Sequence, residues 1–156
     1  MPAIVQERKV PAQISAAGAM DRADYVDLFT VVAGHAADRS PEQWARTAVE
    51  EVAGLGGQVL WRLGLGLQLE PSPYAIGGWT IGDRAARWIR LEAESWLLRA
   101  HIVFYLDDQR LSVATIIQYE RPIAALVWPV ASIVHRRAMP GLLSRTVSKL
   151  SSGREP

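Results

Sequence analysis

Between positions 89 and 119, apolar residues recur at every second position in three consecutive segments, which is the side-chain period of a β-strand. The segments are 89–94, 98–106 and 111–119, and the turn sequence Asp107-Asp108-Gln109 joins the last two. Each segment has one predominantly apolar face. We therefore predict three long, consecutive antiparallel strands that place one face against a core.

Helix signals and two shorter strand segments precede this meander. Strands are predicted at 24–32 and 78–82. In the sequence SPEQW at 40–44, Ser40 can cap a helix start, Pro41 suits the first helical position and Gln43 completes a capping box. A helix of about 12 residues should follow, and the glycines at 54, 56 and 57 should end it before a second short helix at 58–63.

The terminal region contains an uninterrupted apolar run at 123–134, followed by His135-Arg136-Arg137. A bilayer core requires about 20 apolar residues in a helix, so this shorter run predicts a buried helix and no stable membrane insertion. Pro129 is expected to kink or interrupt the helix, and Pro140 to restart it. The large aliphatic residues fall on one helical stripe, which is predicted to face the interior: Ile123, Leu126, Val127, Val130, Ile133 and Val134.

Length and charge bound the remaining possibilities. The chain of 156 residues fits one domain, predicted at 23–150 after a partly ordered N-terminal extension at 1–22 and before a flexible tail at 151–156. Lys and Arg number 17 against 16 Asp and Glu, which supplies no overall cationic field for nucleic acid or anionic lipid. The absence of cysteine and of a signal-peptide apolar core indicates a cytoplasmic protein.

Together these elements predict an α+β fold, with a curved antiparallel sheet packed against a long C-terminal helix and two short helices after the first strand. This order resembles the START-like (SRPBCC, helix-grip) superfamily. More narrowly, four segments resemble an uncharacterised bacterial family within it: ADYVDLF at 23–29, SPEQW at 40–44, LDD at 106–108 with Leu111, and PVASIVHRR at 129–137. The resemblance covers roughly residues 5–147, and its motifs are architectural rather than catalytic.

The resemblance implies a space between sheet and terminal helix, where superfamily members hold lipids, sterols or polyketides. The predicted ligand-binding residues are Arg99, His101, Tyr105, Trp79, Trp88, Tyr119, Val127, Val130 and Val134. Two alternatives stay open. The aromatic rings can instead fill a solid core, and the polar strand face with Arg99, His101 and Tyr105 can instead be solvated, because the opposite face is the more apolar.

No catalytic signature accompanies these residues. His35, His101 and His135 lack the spacing of metal ligands, so we predict that the protein has no metal site. The sequence contains no complete nucleotide-binding loop, so we predict no cofactor. The cluster 135–137 either lies near the negative end of its helix or admits an anionic head group. The leading prediction is therefore a binder or carrier of a small apolar molecule. A cyclase-like enzyme using the same cavity and an interaction protein with a vestigial pocket are the alternatives, and homodimer formation stays open.

Overall fold

The computed structural model describes residues 4–152. Seven strands are present in this part of the chain: β1 (Ile4–Glu7), β2 (Tyr25–Val32), β3 (Ala75–Ile76), β4 (Trp79–Arg84), β5 (Trp88–Glu94), β6 (Leu98–Leu106) and β7 (Arg110–Tyr119). The helices are α1 (Ala12–Gly18), α2 (Pro41–Arg46), α3 (Gly54–Val59) and α4 (Ala124–Ser152), with a 3₁₀ turn at Ala36–Asp38 and π-helical turns at Thr47–Ala53 and Leu60–Gly64.

The seven strands form one open antiparallel sheet in the order β1-β2-β7-β6-β5-β4-β3. The last strand of the meander, β7, is the longest of the seven and pairs with β2. This architecture confirms the predicted α+β class and the three long strands, because a strict two-residue period over such lengths fits only a strand.

The N-terminal residues contribute more structure than the sequence predicted. Strand β1 pairs with β2 at the sheet edge, and α1 packs Ile14 and Ala17 against Leu28 and Val103. Both elements lie within the predicted extension at 1–22. In the predicted tail, α4 continues through Ser152, and positions 153–156 lie outside the described residues.

Helix α2 begins as the capping box predicts. The Ser40 hydroxyl accepts a hydrogen bond from the Gln43 amide at 3.1 Å, and the Gln43 side chain accepts one from the Ser40 amide at 2.8 Å. Trp44 is buried, and its indole donates to the Ala36 carbonyl at 2.9 Å. The helical path continues through the first π turn and changes direction at Gly54, whose φ of +51° favours glycine.

Helix α4 is a single element of 29 residues, so the predicted interruptions at its prolines do not occur. Pro129 lies on the exposed side, where water can reach the carbonyl group that loses its helical partner. The orientation of the helix was also predicted wrongly. Its buried face contains Ala124, Trp128, Ser132, Met139, Leu143 and Thr146, whereas Ile123, Leu126, Val130, Ile133 and Val134 are exposed.

The sheet has a different partner on each face. Helix α4 and the helical segment 41–64 cover the main core, which includes Phe104, Val113 and Trp128. Helix α1 covers part of the other face and builds a smaller core. Within the described residues, we find no helix whose length and hydropathy would let it cross a membrane.

Candidate functional site

A cavity of about 400 Å³ lies between the sheet, the helical segment 41–64 and α4. Its floor comes from β6 and β7, through Ile102, Phe104, Val113 and Thr115. One wall comes from the middle of α4, between Val134 and Arg145. The opposite wall consists of Ala48, Val49, Val52, Ala53, Gly56, Gly57, Leu60 and Trp61. The lining is mostly apolar, which is typical of a small-molecule site.

The backbone of the helical wall explains why space remains there. Most of its lining residues belong to the two π turns or to the glycines of α3. A side chain at Gly56 would meet no atom within 4 Å, so this glycine leaves room at the wall. At this position the wall therefore presents no side chain that would fill the adjoining space.

A buried polar cluster adjoins this apolar cavity. Asp27 belongs to β2 and pairs in register with Thr115 of β7, and both side chains are buried. The Tyr25 hydroxyl donates to Asp27 Oδ2 at 2.6 Å, and His135 Nε2 from α4 lies 3.0 Å from the same oxygen. His135 and Thr115 also line the cavity. The site thus combines an apolar volume with an imidazole that a buried carboxylate holds in place.

The electrostatics of the cluster assign the proton of Tyr25. Burial, followed by the hydrogen bond to Asp27, raises the pKa of Tyr25 well above its ordinary value. The phenol therefore stays a donor at neutral pH. The Trp128 ring packs edge-on against Tyr25 at 5.1 Å and tilted against His135 at 5.9 Å, which encloses the cluster.

The hydrogen bonding of the cluster is incomplete. Among the described residues, Asp27 Oδ1, Thr115 Oγ1, Trp128 Nε1 and His135 Nε2 are buried without a hydrogen-bond partner. For His135 Nε2, the distance to Asp27 is that of an ion pair, but the alignment of the ring N–H is not that of a hydrogen bond. Such a concentration of unsatisfied polar atoms is costly in a core and is typical of a functional position.

A second depression, of about 580 Å³, lies beside the end of α1 and is lined largely by polar groups, including Glu92, Arg99 and His101. Two of these groups, and the neighbouring Arg90, have a structural role. His101 Nδ1 lies 2.6 Å from the Gly18 carbonyl oxygen, and Arg90 donates to the Ala17 carbonyl at 2.8 Å and pairs with Glu92 at 2.7 Å. These side chains satisfy the carbonyl end of α1. Although this depression is larger, the apolar cavity is the better candidate site.

The predicted site residues are distributed over several parts of the fold. Val134 lines the cavity, Val127 packs half-buried against the main core, and Val130 is 66% exposed. Trp79 is buried edge-on to Trp61, and Tyr119 is half-buried. The others lie on the opposite face, with Arg99 and His101 at the second depression and Tyr105 and Trp88 beside the α1 core.

The residues that sequence reasoning missed are Tyr25, Asp27 and Thr115. His135 was singled out only as part of a cationic cluster. One signal was available: in strand β2 the residues Tyr25, Asp27, Phe29 and Val31 share a face, so a carboxylate interrupts an otherwise apolar row. A buried carboxylate requires a partner. The identity of that partner depends on how α4 is rotated, which the sequence pattern did not reveal.

Comparison with known proteins finds no matching family model, no matching curated protein and no matching solved structure. Among residues 4–152, no group of three or more His, Asp or Glu side chains could hold a metal ion.

Proposed function

We propose that the protein binds or carries a small apolar molecule, such as a lipid or polyketide, in the cavity between the sheet and α4. The observation that carries this proposal is the apolar lining of a volume of about 400 Å³. Small-molecule sites typically occupy about 300–1,000 Å³ and combine apolar walls with a few polar groups. His135 and Thr115 supply the polar groups in this lining.

The proposal includes the relationship to the helix-grip superfamily. Its support is the element order: a strand, a pair of short helices, an antiparallel meander and a long helix across the sheet. Fold likeness alone does not define function. The binding proposal therefore stands on the cavity itself and does not require the relationship.

Filling the cavity tests the proposal. Val52 lines the cavity and is only half-buried, so Val52→Trp should occupy the volume without severe overpacking. The matched control is Val32→Trp, at an exposed position on the face of β2 that points away from the cavity. We expect N-phenyl-1-naphthylamine to fluoresce with wild type and with Val32→Trp, and to lose most of its binding to Val52→Trp.

The opposite results separate the alternatives. If wild type binds no apolar dye and Val52→Trp loses more than about 3 kcal/mol of stability, the core is solid and the binding proposal fails. That outcome favours the interaction protein with a vestigial pocket. If both Trp variants bind the dye as wild type does, the dye occupies another surface and the cavity is not the site.

One observation favours a second candidate function, a cyclase-like enzyme. His135 borders the cavity and faces Asp27, and its other ring nitrogen, Nδ1, has no hydrogen-bond partner among the described residues. A carboxylate beside Nε2 favours the tautomer with the proton on that nitrogen, which leaves Nδ1 as a proton acceptor. An enolisable carbonyl compound in the cavity could transfer a C–H proton to Nδ1 and recover a proton at another carbon.

Hydrogen exchange at carbon tests this candidate. A naphthyl β-diketone is incubated in D₂O, and loss of its α-proton signal is followed by NMR. The enzyme candidate predicts exchange faster than buffer with wild type, buffer rate with His135→Gln, and an intermediate rate with Asp27→Asn, because Asp27 acts only through His135. Buffer-rate exchange with wild type that nevertheless binds the diketone would remove the enzyme candidate and leave the carrier.

A further inference from the structure

The outward face of the first half of α4 is aliphatic. Five side chains on this face, the first of them immediately before the helix begins, are between 44% and 74% exposed: Ile123, Leu126, Val130, Ile133 and Val134. Their spacing follows the helical period, so they form one continuous strip. No described element covers the strip, because the contacts of α4 are with β1, β2 and the helical segment 41–64 through its other face. We refer to these five residues as the outer strip.

An aromatic and a cation extend the outer strip beyond the start of α4. Trp96, in the turn between β5 and β6, is 67% exposed. The Arg121 guanidinium lies 5.3 Å from the centre of the Trp96 ring. Trp side chains combine a large apolar ring with a polar N–H group and prefer the boundary between water and an apolar phase. An exposed aromatic ring thus contacts a cation, Arg121, that precedes the first residue of the outer strip by two positions.

The charge of this region differs from that of the rest of the chain. Positions 121–152 contain five basic residues and no Asp or Glu, whereas the other positions contain twelve basic and sixteen acidic residues. The five are Arg121, Arg136, Arg137, Arg145 and Lys149. Arg137 is exposed and falls on the same side of the helix as the outer strip. Of these five, Arg121 and Arg137 thus place positive charge beside and on the outer strip, whereas Lys149 pairs with Glu51 and Arg145 lines the cavity.

We propose that the outer strip, with Trp96 and the surrounding arginines, binds peripherally to an anionic lipid surface. Interfacial helices bind through buried apolar area together with attraction between Lys or Arg and anionic head groups. A bilayer needs no matching groove, which suits a strip without hydrogen-bonding side chains of its own. The proposal does not depend on the function of the cavity.

Two other occupants fit the same surface less well. In a symmetric dimer that uses the strip, Arg121 and Arg137 of both copies would be brought to one interface, and this juxtaposition of like charges would oppose association. An acidic protein would satisfy the charges, but the strip offers it no polar group for specific pairing. The lipid surface satisfies both the apolar and the cationic components.

The strip and the cavity meet at one residue. Val134 belongs to the outer strip and also lines the cavity. A protein bound to lipid through this strip would therefore hold the edge of its cavity close to the lipid surface. If the proposed carrier function also holds, the apolar ligand would have a short path between lipid and cavity.

Vesicle co-sedimentation tests the proposal. The full-length protein is mixed with vesicles of phosphatidylglycerol and phosphatidylcholine, or with phosphatidylcholine alone, at low and high salt. We expect binding to the anionic vesicles that weakens with salt, and little binding to the neutral ones. Leu126→Asp and Val130→Asp should each weaken binding about tenfold or more, and Arg137→Gln about fivefold.

The control variant is Tyr74→Asp, which replaces an equally exposed large side chain in the loop before β3. It should bind as wild type does, and all four variants should keep the wild-type melting temperature because the substituted side chains are exposed. Equal loss in Tyr74→Asp, or no binding of wild type to anionic vesicles, overturns the proposal. Self-association without vesicle binding, abolished by Leu126→Asp, would assign the strip to a second copy. Salt-sensitive binding of poly-glutamate without vesicle binding would assign it to an acidic protein.

Discussion

The pairing of Asp27 with His135 predicts an asymmetric response of stability to mutation. The Asp27 side chain is 1% exposed, and its partners are Tyr25 at 2.6 Å and His135 at 3.0 Å. Removing one partner of a buried carboxylate leaves its charge uncompensated and typically costs about 3–5 kcal/mol, whereas replacing the carboxylate and its partner with apolar groups is often neutral. We therefore expect His135→Leu to lower the free energy of unfolding by about 3 kcal/mol. This value is at the low end of the range because the imidazole is not ideally aligned with the carboxylate.

The matching changes at the other side of the pair complete a double-mutant cycle. Asp27→Val leaves the Tyr25 hydroxyl without its acceptor and should cost about 1–3 kcal/mol. The double variant should lie within about 2 kcal/mol of wild type, so that the two losses are far from additive. Urea unfolding followed by tryptophan fluorescence measures each free energy, with unchanged m-values as evidence that the unfolding transition is comparable.

The cycle also tests the physical reasoning. A loss below about 1 kcal/mol in His135→Leu would mean that the Asp27 carboxyl is neutral or reaches water, and additive single losses would mean that the two residues do not interact. Either result would contradict the paired, buried carboxylate. A double variant more stable than wild type would instead indicate that the pair is retained for a purpose other than stability.

Three further outcomes are expected. Truncation after Arg121 removes α4 and should leave an insoluble chain; a truncated monomer that melts cooperatively would contradict this. Tyr25→Phe should lower the free energy of unfolding near neutral pH, and this loss relative to wild type should shrink above about pH 10. The reason is that the raised pKa keeps the phenol protonated in the folded protein while it ionises in the unfolded chain. A loss that stays constant to pH 11 would refute the raised pKa of Tyr25. Gly78→Ala should lower the free energy of unfolding by about 1–3 kcal/mol, since the φ of Gly78 is +89° and the added carbon would lie 2.7 Å from Leu69 Cβ. Gly56→Ala adds its carbon in open space and should be neutral or stabilising. Thermal melts compare the two variants.

The parts of the fold that the sequence predicted are those with strong local signals. A two-residue period over 98–106 and 111–119 fits only a strand, and the capping box at Ser40 specifies a helix start through two local hydrogen bonds. Strand β1 gave no such signal, because only four residues pair and their side chains are mostly exposed. Its stability comes from the ladder with β2, which is a tertiary contact.

The rotation of α4 was not predictable from its aliphatic residues. Both sides of its first half are apolar, so the amphipathic pattern does not choose between them. In the structure the face with Trp128 and the small residues Ala124 and Ser132 turns inward, where the ring packs against Tyr25. That choice brings His135 to Asp27, and the site therefore follows from packing between distant segments rather than from any local motif.

The two π turns give the helical wall of the cavity a mechanical property that the strands lack. Each π turn closes its hydrogen bonds one residue further along the chain than an α-helix does. The segment between Thr47 and Gly64 therefore contains more residues per turn, in its π-helical parts, than a regular α-helix would. A slip of one hydrogen bond within such a turn changes the position of the wall and breaks no strand pairing. The floor, fixed by the ladder between β6 and β7, has no equivalent freedom. Adaptation of the cavity to occupants of different size is therefore expected in the helical wall at 47–64 rather than in the floor.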